Sequence, residues 1–125
     1  MTEHTVRAFT EQLESLSASV AQMGGMAEAQ MAEAIEAITK RDTARAEAAI
    51  ASDKTIDQIQ HTIENQALKL LALRQPMAVD LRETLAAIKL AGELERIGDL
   101  AKNIAKRAII LNREPPIRLT QSLGR

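Results

Sequence analysis

The chain has 125 residues, with 16 Lys and Arg against 17 Asp and Glu. That is one domain's worth of sequence, without the basic excess a nucleic-acid surface requires. Apolar residues make up 46%, yet Phe9 is the sole Phe, Tyr or Trp, and Cys is absent; base stacking, disulfides, thiolate metal sites and a Cys nucleophile are all excluded. The core falls to Leu, Ile, Val, Met and much Ala. Ala buries little area per residue, so its helices must approach closely and stay alongside one another over a long distance. This predicts an all-α antiparallel bundle of long helices, not an α/β domain whose strands need β-branched and aromatic residues.

In chain order, Val6, Phe9, Leu13, Leu16, Val20 and Met23 recur at steps of three and four, and Ala27, Met31, Ala34 and Ile38 continue the same helical face. One helix is predicted from about Thr2 to Lys40. The Gly24-Gly25 pair inside it costs roughly 2 kcal/mol relative to Ala, which implies a kink or a close neighbour there. Asp42 is a candidate N-cap for a second helix, whose stripe is Ile56, Ile59, Ile63, Ala67 and Leu70 and whose end lies near Leu73. Arg74-Gln75-Pro76 turns the chain, and Pro76 suits the first position of a third helix. That helix carries a stripe of Leu90, Leu94, Ile97, Ala101, Ile104, Ala108 and Leu111 and stops near Asn112, before Pro115-Pro116. Short turns near Lys40–Thr43 and Arg74–Met77 make neighbours antiparallel, giving three helices of roughly 50 Å. Residues 1–114 then form one helical repeat. Residues 115–125, with Ile117, Leu119 and Leu123, read as a Pro-Pro linker and the start of a fourth segment.

Glu95 and Asp99 stand four apart, one turn above each other, and Asn103 extends the ladder by another turn. Like charges at this spacing destabilise a helix by about 0.2–0.5 kcal/mol; a cation between them reverses the sign, because carboxylates are hard oxygen ligands. Asp53 and Asp57 form a second four-spaced pair. A turn centred on Gln75-Pro76 sets Asp53 level with Gly98 and Asp57 level with Leu94, so both acidic pairs share one height. On the first helix that height falls near Gly24-Gly25 and Glu28. Register fixes height and not azimuth, so two solvated faces pointing apart fit the same spacing. Other candidates are weaker: His61 and His4 are lone imidazoles, Arg82 and Lys89 read as surface cations, and no Ser has a convergent His and Asp. No Glu-x-x-His motif supports a di-iron oxidase site. Neither a signal peptide nor an apolar run of membrane-spanning length is visible, so a cytoplasmic protein is expected.

From Arg74-Gln75-Pro76 through Asp80-Leu81-Arg82, then Glu93-Leu94-Glu95-Arg96-Ile97-Gly98-Asp99 and Asn103-Ile104-Ala105, the sequence closely resembles the PhoU family. Thr5 to Leu13, the Gly24-Gly25 region and Asp53-Lys54-Thr55-Ile56-Asp57 fit as well, so the resemblance covers essentially the whole chain. It implies one of two side-by-side three-helix repeats that bind divalent or iron-type metal ions through paired acidic motifs. By that resemblance Asp53, Asp57, Glu95 and Asp99 are metal ligands. It further implies a non-enzymatic regulator that restrains phosphate uptake and phosphate-starvation signalling, with the Pst transporter ATPase and a sensor histidine kinase as partners. A lone repeat leaves an apolar stripe uncovered, so a homodimer is expected. The competing reading is a helical interaction module whose acidic ladders are plain surface.

Overall fold

The computed structural model describes the backbone of residues 3–72 and 78–115, and side chains within 7–72 and 80–115. The described residues form helices α1 (Glu3–Thr39), α2 (Thr43–Ala51), α3 (Asp53–Ala72) and α4 (Ala78–Asn112), with no strand among them. The all-α bundle and its boundaries follow the sequence pattern; the turn at Arg74–Met77 and the segment after Pro115 lie outside the described residues.

Helix α1 runs unbroken through Gly24-Gly25. Its end is a Schellman motif: Asp42 N–H reaches Ala37 O at 3.0 Å and Arg41 N–H reaches Ile38 O at 3.4 Å. Arg41 holds the left-handed position with φ 53°. It is held there by its guanidinium, which donates to Asn112 O and Glu114 O at the end of α4. Asp42 caps α2, its Oδ1 accepting from Arg45 N–H at 3.1 Å.

The second predicted helix departs from expectation at Ser52, where the ladder breaks between α2 and α3. Neither Gly nor Pro causes it. Ala49 O instead accepts from two side chains, Ser52 Oγ at 2.9 Å and Gln30 Nε2 of α1 at 3.0 Å. Side chains inserted into the hydrogen-bond ladder interrupt a helix. Asp53 thereby becomes the first residue of α3, where the helix dipole favours a carboxylate.

Two cores fill the bundle. One contains Phe9, Leu16, Met23, Ile56, Ile63 and Leu70; in the other the fully buried residues are all alanines, including Ala34, Ala37, Ala49, Ala101 and Ala105, with Met31, Ile50, Ile104 and Ile109 packed against them. The stripes predicted for α1 and α3 are largely the buried ones. For α4 the expected stripe is corrected. Ala101 and Ala108 are buried and Leu94 and Ile104 half-buried, but Leu90, Ile97 and Leu111 are 49%, 41% and 48% exposed. The helix turns Thr84, Ala91, Gly98, Ala101 and Ala105 inward. Small residues allow α1 and α4 to approach, and the large ones are left on an outer flank.

The glycines separate by what a Cβ would meet. At Gly25 and Gly92 it would meet nothing within 4 Å, whereas at Gly98 it would lie 3.1 Å from Gln30 Oε1. Gly25→Ala and Gly92→Ala are each expected to stabilise the chain by up to about 1 kcal/mol through helix propensity. Gly98→Ala is expected to bring no gain, because the Gln30 amide is tethered to Ala49 O and cannot retreat freely. Thermal melts check this; equal gains at Gly98 and Gly25 would show that the contact is soft.

Candidate functional site

The register expected between α3 and α4 is found. Asp53 Oδ1 lies 3.7 Å from where a Gly98 Cβ would stand, and Ile56 Cγ2 lies equally close. Asp53 and Gly98 therefore face each other at mid-bundle, between the two cores. On α1 this level is occupied by Gln30, with Gly24 one to two turns earlier against Leu94 Cδ1 at 3.9 Å. Since Gly24 meets Leu94 and Gln30 meets Gly98, α1 and α4 run parallel while α3 opposes both.

A polar layer results. Asp53 is buried to 10% side-chain exposure, and its Oδ2 takes an ion pair from Lys102 Nζ at 3.4 Å. Gln30 is only 2% exposed. Its Nε2 is used on Ala49 O, and its Oε1 is buried without a hydrogen-bond donor, a situation that costs about 1–3 kcal/mol.

Outward from this layer stand the other three carboxylates. Glu95 is pushed above the ordinary Glu range, first by a side-chain hydrogen bond with Asp99, then by burial, then by the charges of Asp99, Asp57 and Asp53. The charges of Asp99, Asp57 and Asp53 thus all reach Glu95. Asn103 is exposed and its side chain makes no hydrogen bond among the described residues; the geometry does not tie it to the other four. Glu28, His61, Arg82 and Lys89 are exposed as well. Among the described residues no three His, Asp or Glu side chains are placed to hold a metal ion together. The carboxylates are near enough for their charges to act on Glu95. Their donor chemistry, all hard oxygen, fits a divalent or iron-type cation.

Sequence reading missed Gln30. The available signal was positional: Met23, Ala27, Gln30, Ala34 and Ala37 form one continuous buried stripe on α1, and Gln30 is its one polar member.

Long helices packed in up-down-up order, with acidic side chains beside a buried polar layer, define an all-α helical bundle. A family model described as the PhoU domain matches residues 20–108. The chain belongs to the PhoU family. It is 52% identical to a phosphate-specific transport system accessory protein PhoU homolog of Caulobacter vibrioides, over 100% of this chain and 55% of that protein. The homolog of the same name from Xylella fastidiosa is 40% identical, over 96% of this chain and 50% of its own length. That of Aquifex aeolicus is 39% identical over 86% and 49%. The chain spans about half the length of the curated relatives it matches. No helix among the described residues is long and apolar enough to cross a membrane.

Proposed function

We propose that this chain is one three-helix repeat, spanning residues 1–114 and joined through residues 115–125 to a second, of a cytoplasmic, metal-binding regulator of phosphate homeostasis. On this reading it restrains phosphate uptake and phosphate-starvation signalling through the Pst transporter ATPase and a sensor histidine kinase. It carries out no catalysis itself. The observation that supports it is the register that sets Asp53 of α3 against Gly98 of α4, level with Glu95 and Asp99, on a chain of this family. Four carboxylates at one height are costly alone and become a polydentate site with a divalent or iron-type ion. Asn103, a turn further along, is at most an outer oxygen donor.

The test is made in cells on the full-length protein. Substituting Gln for Glu95 and Asn for Asp99 is expected to release phosphate uptake from restraint in phosphate-replete medium. Unchanged uptake, with normal protein abundance, would remove the acidic face from regulation. A purely structural interaction module is the second reading. It is favoured by the exposed Leu90, Ile97, Leu100 and Leu111, and elemental analysis of purified protein separates the two.

A further inference from the structure

On the metal-binding reading above, the acidic face has an open end, at Asp57 and Asp99, and a deep end, at Asp53. The deep end already holds a cation. Lys102 Nζ stands 3.4 Å from Asp53 Oδ2, with the Lys102 side chain one-third exposed and Asp53 nearly closed off. The other oxygen, Oδ1, faces the missing Cβ of Gly98, and Gln30 Oε1 approaches that same point from α1. Gln30 is fixed by its bond to Ala49 O, and its oxygen is buried with no donor. A partnerless buried carbonyl beside a carboxylate is a place that favours positive charge.

We propose that Lys102 is the resident counter-cation of this face, that a divalent metal ion entering it displaces the ammonium from Asp53, and that Gln30 Oε1 is a neutral oxygen donor at that inner position. Lys102 lies one turn beyond Asp99 on α4, so its flexible stem carries the ammonium out to solvent without moving a helix. Two cations then compete for Asp53, one covalently attached. The lysine sets the metal concentration at which the face fills. It also keeps the metal-free protein from holding a buried unpaired charge.

The experiment is a calorimetric titration of the folded chain with manganese(II), alongside melts in chelator. It compares wild type with Lys102→Met, Lys102→Arg and Gln30→Met. Lys102→Met is expected to melt lower in chelator yet bind manganese about tenfold more tightly, within the usual size of linked-site couplings. Lys102→Arg keeps the charge and is expected to bind like wild type. Gln30→Met is expected to bind several-fold more weakly. A brace with no competing role predicts otherwise: Lys102→Met would lose stability and bind no better, and that result overturns the proposal. Unchanged affinity in Gln30→Met would strike out the amide donor. A wild type unresponsive to manganese at millimolar concentration would overturn the acidic-face reading itself, and this inference with it.

Discussion

Wild-type protein is expected to gain roughly 10 °C or more in melting temperature when a divalent ion is supplied at about a hundred times its dissociation constant, and the Glu95→Gln, Asp99→Asn double variant to gain far less. The first figure follows from mass action, about 2.7 kcal/mol at that ratio, spread over the unfolding entropy of a domain of this size. In chelator the order reverses. Glu95 is raised on folding by Asp99, burial and the two Asp of α3, so its ionisation opposes folding. Its favourable contribution is complete below the unfolded Glu value and is lost as pH rises through the elevated folded value. Above that folded value the wild type therefore carries the repulsion and the double variant does not. The variant should be slightly the more stable, by about the few tenths of a kcal/mol usual for like charges at this spacing. That advantage should fade as pH falls and Glu95 takes up its proton. Melts in chelator and in manganese across pH decide it. Equal metal-induced shifts in the two proteins would show the ladder to be ordinary surface charge.

The height of the acidic pairs was legible because one short turn between two uninterrupted apolar patterns fixes antiparallel register to within a residue or two. Asp53 against Gly98 is the direct result. The azimuth of α4 was not legible, because that helix carries two apolar stripes. The spacing of Leu90, Ile97, Ile104 and Leu111 is the stronger by residue size. The stripe that packs is the one of small residues, chosen by how closely α1 can approach. The break at Ser52 escaped for a different reason. It depends on Gln30, distant in sequence, reaching Ala49 O, and no local propensity records that. The acidic residues could be named from their spacing, whereas the layer beneath them exists only once three helices are assembled.

The outer stripe of α4 carries the last prediction: this 125-residue chain is expected to associate into a two-fold dimer through its α1–α4 face. Val20, Ala21, Ala86 and Leu90, with Ser17 and Glu83, line a shallow groove between the two helices. Helical periodicity continues that flank through Ile97, Leu100 and Leu111 on α4 and through Ile35 and Ile38 on α1, which are all exposed. Exposed large apolar side chains gathered on one flank mark an interaction surface. A two-fold axis lets one such strip cover another. Completing the burial of each half-exposed side chain is worth about 1 kcal/mol. Summed over two copies, that is comparable with the 4–15 kcal/mol lost in rigid-body freedom on association. The net gain is therefore small and association is expected to be weak, so the mass seen by light scattering should rise with concentration toward twice that of the chain. Ile97→Lys places two charges in the dimer core and should weaken association by at least a hundredfold, while leaving the melt of dilute, monomeric protein nearly unchanged because the site is exposed in the monomer. If the wild type scatters as a strict monomer at high concentration, the face does not pair with itself, and the strip must be matched to a different surface.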